Sequence, residues 1–113
     1  MAAEPRTIAE LAPALCSREL TSKAITDRCL TSIAERNPSF NAFITVLADA
    51  AHRQALRADA EMDAGRYRGP LHGVPVSLKD LIDLSGTATS AASRVRQGHM
   101  ATVDATIAAR LRE

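Results

Sequence analysis

The sequence predicts an α/β class of fold that is mostly helical, with three to four helices and one or two strands, forming the incomplete N-terminal part of a single domain over residues 1–113. Three observations carry that reading. Helix-capping signatures precede apolar residues at helical spacing, Val74, Val76 and Leu78 alternate with Pro75, Ser77 and Lys79, and the last helical pattern runs to Glu113 without a stop signal. One ordinary domain is the most that 113 residues accommodate.

The first helix is announced by Thr7-Ile8-Ala9-Glu10, a capping box in which threonine oxygen and glutamate satisfy each other's helix-end amides, and it should run from Ile8 to about Ser17. Thr21 or Ser22 caps a second helix, with Ile25, Cys29 and Ile33 on one face and Leu30 and Ala34 beside them, ending at Asn37-Pro38. Phe40 to Leu47 is a short apolar stretch. A third helix follows, striped by Leu47, Ala51, Ala55, Ala58 and Met62 and ended by Gly65. Glycines 69 and 73 then punctuate the chain before a strand at Val74–Leu78, with Pro75 at its beginning or on an edge because proline cannot donate to a ladder. Such a strand needs neighbours to pair its amides and carbonyls, and no second clear strand is visible to provide them. A small-residue loop spans Gly86 to Ser93, and a last helix opens near Thr102 or Val103 with Val103, Ile107 and Leu111 in register.

Composition narrows the function. Alanine supplies 22 of the apolar residues, with two phenylalanines and no tryptophan, so apolar faces are plentiful but thin and call for larger side chains to pack on them. Fourteen Lys and Arg against thirteen Asp and Glu, interspersed, give no footprint for nucleic acid or anionic lipid. Cys16 and Cys29 are too few for a disulfide framework and lack metal-ligand spacing, which points to a reduced, cytoplasmic protein. Met1 to Arg6 leads into no apolar run, so neither a signal peptide nor a membrane span is read there. No cofactor and no metal is expected.

The alternation at 74–79 sets Ser77 and Lys79 on one side. A strand-end lysine ordinarily reaches water; it serves as a base only where burial and neighbours bring its pKa from about 10.4 to roughly 7 to 8. Ser77 and Lys79 are a poor self-contained nucleophile and base, since residues two apart on a strand lie roughly 6.5 to 7 Å apart at Cα and no oxyanion donors are evident. Val76 occupies the position three before Lys79, so the Ser-x-x-Lys arrangement is absent. His72, between residues of a glycine-rich turn, reads as a loop residue, and His52 and His99 have no partners at ligand spacing. Asp80 reads as holding the turn after the strand, Gly69 and Gly73 make no phosphate loop, and the hydroxyls from Thr87 to Ser93 fit a channel lining or a solvated turn equally well.

The segment Gly69-Pro-Leu-His-Gly73-Val-Pro-Val-Ser-Leu-Lys79-Asp80-Leu-Ile-Asp83, with Gly86 and Thr89 after it, closely resembles the amidase signature family. The likeness continues upstream through Glu19-Leu-Thr-Ser22, Ile33 to Pro38 and Asn41 to Val46, and downstream through Asp104-Ala-Thr106 and Arg110-Leu-Arg112, so it covers nearly the whole chain. It implies the helical front of a mixed sheet covered by helices. It also implies that Lys79 is the base of a Ser–cis-Ser–Lys triad, with Gly73, Pro75 and Asp80 supporting the site. The triad's serines and oxyanion amides belong to a glycine- and serine-rich segment beyond this point. A small-molecule amide is the implied partner of the parent enzyme, with companion subunits if ammonia is transferred from glutamine, or a homodimer. Alone, the chain is expected to be inert. Two departures touch loop shape: Ala92 stands where the family usually has glycine, and Ala101 where proline often precedes Asp104-Ala-Thr106. The alternative is a non-catalytic helical interaction module or decayed remnant, which cooperative unfolding of the isolated chain would favour.

Overall fold

The computed structural model describes residues 7–113. Met1 to Arg6, where the sequence suggests neither a signal peptide nor a span, lie outside the described residues. Four α-helices follow one another, α1 (Ile8–Cys16), α2 (Ser22–Phe40), α3 (Ala48–Asp63) and α4 (Thr106–Arg112), with a single 3-10 turn at Arg94–Arg96. The chain divides into two compact units, Met1–Pro75 and Val76–Glu113.

In the first unit the capping box at Thr7 is present in full: the Glu10 amide donates to Thr7 Oγ1 at 3.3 Å and the Thr7 amide donates to Glu10 Oε2 at 2.9 Å. Arg18 turns the chain with φ 63°, and Leu20 N donates back to Ala14 O at 3.0 Å, which satisfies a carbonyl of the α1 end. Helix α2 continues to Phe40, past the Asn37-Pro38 boundary. Pro38 sits in its last turn, where it forfeits a single donor, and Asn41 closes the helix in the left-handed region with its amide on Asn37 O at 2.7 Å. The Asn37 side chain then ties down the following loop, accepting from Phe43 N and donating to Phe43 O.

The core of this unit is Leu15, Ile25, Ala58 and Met62, with Leu11, Leu20 and Val74 packed on it. Alanines at 55 and 58 are buried, as the α3 stripe predicts, and let α2 approach closely, but Leu47, expected on the same stripe, precedes the helix as its N-cap and is exposed. The predicted α2 stripe needs one correction: Cys29 is exposed. At about 100° per residue Cys29 falls within the same angular face as Ser22, Ile25 and Thr26, but it lies further along the helix, and the buried residues of α2 are confined to its first turns.

The polar accounting at the N-terminus of α2 is closed. Thr21 accepts from Ala24 N at 3.1 Å, while Asp59, reaching from α3, accepts from Ser22 N at 2.8 Å and Lys23 N at 2.9 Å. Arg18 bridges the same carboxylate at 2.9 Å and also Asp63 at 2.8 Å. Gly73 closes the unit: its carbonyl accepts from Ser22 Oγ at 2.6 Å, its φ is +79°, and a Cβ there would meet Met62 Cε at 2.8 Å.

No strand forms at Val74–Leu78, and among the described residues the single ladder element is an isolated antiparallel bridge between Ala88 and Met100. The α/β expectation is therefore met only in its helical part. Alternation specifies a two-faced segment, but a ladder needs a partner, and none of the described residues pairs with this one.

In the second unit the chain between Gly86 and Ala101 doubles back: Ala101 N donates to Thr87 O, Gly86 N to Ala101 O and Thr89 N to His99 O. Helix α4 begins later than the Thr102 or Val103 expected. Residues 102–105 are engaged instead by the turn at 83–85, with Ala105 N on Asp83 O at 2.8 Å, Ser85 Oγ on Thr102 O at 3.1 Å and Ser85 N on Asp104 Oδ1 at 2.7 Å.

Candidate functional site

Lys79 lies in the second unit, exposed, and its amine makes no hydrogen bond or ion pair among the described residues. Its main chain is another matter. The Lys79 carbonyl accepts from Ile82 N at 2.9 Å and the next carbonyl, that of Asp80, accepts from Ala91 N at 2.8 Å. The Asp80 carboxylate accepts from Ser90 N at 2.9 Å and from the Ser90 hydroxyl. These bonds, the hydroxyl's first and the Ser90 amide's next, hold the Asp80 carboxyl below the usual carboxylate range against partial loss of water, with the Ala92 and Ala91 amides adding to the effect. Asp80 thus pins the residue next to Lys79 to the loop at 90–92, the turn-holding role that its place in the sequence suggests.

That loop is strained. Ala91 and Ala92 both sit in the left-handed region, at φ 49° and 52°, a conformation that costs an L-residue roughly 1–2 kcal/mol. Position 92 is where a glycine would be expected from the family pattern, and the positive φ supplies the reason. The other departure has a counterpart too: the Ala101 amide donates to Thr87 O at 2.9 Å, which proline could not do.

Nearby in the same unit, Asp83 is a half-buried carboxylate facing Arg96 Nη2 at 3.7 Å and His99 Nε2 at 3.9 Å, too far for hydrogen bonds. Asp83 Oδ1 and the Thr89 hydroxyl are buried oxygens without a hydrogen-bond partner. Thr89 is thereby the one hydroxyl of the Thr87–Ser93 loop that neither a solvated turn nor a local bond explains, since Thr87 donates to Leu84 O and Ser90 to Asp80. Ser77 is exposed.

The remaining candidates lie in the first unit. His72 is buried and structural: Arg68 N donates to its Nδ1 at 3.1 Å, which assigns the proton to Nε2, and Nε2 donates to Glu61 at 3.0 Å. Glu61 is held below the usual range by Arg57, with Arg68 and His72 assisting against desolvation. His52 has a partner that spacing did not reveal, Asp27 at 2.7 Å across α2 and α3. Gly73 packs in the core as described, and Pro75 is the last residue of the unit. Among the described residues no group of three His, Cys, Asp or Glu is placed to hold a metal ion, and no helix is long and apolar enough to cross a membrane.

The sequence model of the family described as Amidase matches residues 24–113. The chain belongs to the amidase family. This amidase-family chain is 41% identical over 87 residues to an amidase of Pseudomonas putida, covering 77% of the chain and 18% of that protein. It is 41% identical over 108 residues to a glutamyl-tRNA(Gln) amidotransferase subunit from Halorhodospira halophila, covering 96% of the chain and 22% of the relative. It therefore spans about a fifth of the length of the curated relatives it matches. Its fold matches a solved, inhibitor-bound structure of a vestigial protein complex described as revealing the evolutionary origins of an s-triazine catabolic enzyme. The TM-score is 0.89 at 25% identity, over 95% of the chain and 24% of that one.

Proposed function

We propose that this chain supplies the base of an amide-cleaving centre. Lys79 takes a proton, through a cis-peptide serine, from a second serine whose oxygen attacks the amide carbonyl; the proton returns to the departing amine, and water then releases the acyl group. In an ammonia-transferring enzyme the same centre would free ammonia from glutamine, with companion subunits receiving it. A small-molecule amide is the substrate, and a reducing cytoplasm suits the two free cysteines.

The observation that carries the reading is the amine of Lys79, left unengaged on a main chain whose Lys79 and Asp80 carbonyls are both hydrogen-bonded, inside the residues that the family model matches. A lysine meant for a surface ion pair would not need such an anchored backbone. The exposed state of the amine is accommodated because a proton relay needs hydroxyl groups that residues 1–113 do not carry in a glycine- and serine-rich run. Large apolar side chains such as Phe40, 75% exposed, and Ile44, 73% exposed, point the same way, being surfaces that further chain would cover.

The test has two arms. In a full-length amidase-family enzyme that carries residues 1–113 as its front portion, Lys79→Ala should lower amide hydrolysis by about 10²–10⁴-fold, the range for a positioned base. Unchanged turnover would sink the assignment. Purified residues 1–113 should hydrolyse no amide or ester above their own Lys79→Ala control, and activity abolished by that substitution would refute the dependence on further hydroxyls.

A further inference from the structure

We propose that Ser90 is a positioning residue for the Lys79 amine, acting through Asp80 and not on the substrate. The inference rests on Lys79 being the base. Five bonds converge on the two short segments 79–80 and 90–92: Ile82 N to Lys79 O, Ala91 N to Asp80 O, Ser90 N and Ser90 Oγ to the Asp80 carboxylate, and Ala92 N to Ser90 Oγ at 3.3 Å. Ser90 takes part in three of them. Its hydroxyl proton is committed to Asp80 while a lone pair takes the Ala92 amide, so Ser90 is not available as a nucleophile.

The backbone it stabilises is uphill. Two consecutive alanines at positive φ persist only where surrounding bonds over-determine them, and the side chain that does so here is the Ser90 hydroxyl. The carboxylate it holds belongs to the residue directly after Lys79. A lysine side chain is long and flexible, so its reactive nitrogen is placed only as well as its main chain is, and a misplacement of about 1 Å can cost about 10²-fold in rate.

The experiment uses the full amide-cleaving polypeptide, with kcat, KM and the folded fraction measured for Ser90→Ala, Ser90→Thr, Ser90→Val and Lys79→Ala. Ser90→Ala should lower kcat by about 10–10²-fold with KM within about twofold of the parent. Ser90→Thr, which keeps the hydroxyl, should restore kcat, and Ser90→Val, of the same shape without it, should not. The Thr and Val pair decides the matter even if Ser90→Ala fails to fold. Equal kcat in the two, or a loss of kcat in Ser90→Ala that only follows the fraction of folded protein, overturns the proposal. Full activity in Lys79→Ala would instead overturn the base assignment, so the two failures are distinct.

Discussion

The helical unit through Pro75 and the unit from Val76 onward solve the same problem, what to do with backbone polar groups, in different ways. In the first, helices satisfy their own amides and bury an apolar seam of Leu15, Ile25, Ala58 and Met62; the leftover amides at the start of α2 are collected by one carboxylate, Asp59. In the second, little is helical and the buried residues are small, Thr89, Ala101 and Ala108. Order there comes from carboxylates and carbonyls receiving loop amides: Asp80 takes Ser90, Asp104 takes Ser85, and Asp83 O takes Ala105. A loop built this way can place a reactive side chain without covering it, whereas a packed helical seam would cover it. The unit that carries Lys79 is the one with the thinner core.

The comparison is broken most forcefully in the seam. Leu15→Ala empties a site that is 0% exposed and should destabilise the helical unit by about 2–5 kcal/mol, read as a lower urea midpoint followed by helical circular dichroism. A loss below about 1 kcal/mol would mean the seam is not what holds this unit together.

Next comes Asp59→Ala, which strands two helix-end amides and takes from Arg18 one of its two carboxylate partners; a loss of about 2–3 kcal/mol at neutral pH is expected from unfolding curves. Its pH dependence fixes the sign. Burial alone would raise the Asp59 carboxyl, but the Lys23 amide, Arg18 and the Ser22 amide outweigh it and hold it below its ordinary value. A carboxyl depressed in the folded state contributes stability that is present above the unfolded value, about 3.9, and lost as pH falls through the folded one. The stability difference between the chain and Asp59→Asn should therefore shrink below about pH 4, and a difference that grew there would contradict the assignment.

Gly73→Ala should cost about 2 kcal/mol, from the positive φ together with the approach to Met62 Cε, and the same urea series measures it. The smallest effect tests the other unit. Ala92→Gly removes a left-handed alanine at the expense of backbone entropy and should stabilise by about 0.5 kcal/mol, most visibly as slower amide exchange in the 90–93 loop. Faster exchange would show that the loop's conformation is not limited by the alanine.

Much of the first unit was legible because its signals are local. The Thr7 box, the Thr21 cap and the alanine stripe of α3 each follow from residues within a few positions of one another, and each formed. The Asp59 clamp was invisible for the opposite reason: it joins residues 36 to 41 positions apart, and nothing in the neighbourhood of Asp59 distinguishes it from a surface acid. Around the candidate site, Asp80 as a turn-holder could be read from its type and place, but Ser90 could not, since Ser and Thr crowd the loop and only geometry tells which hydroxyl meets which carboxylate.

By itself, then, the sequence determined the helices, the caps of α1 and α2 and the family resemblance around Lys79, because periodicity, capping and motif are encoded within a turn or two of chain. Only the tertiary structure decided that Val74–Leu78 would not enter a ladder, that α4 would start at Thr106, and that Ser90 would answer Asp80. A strand exists only with a partner and a helix start moves when its first residues find other bonds, so these outcomes belong to long-range pairing that no short window of residues contains.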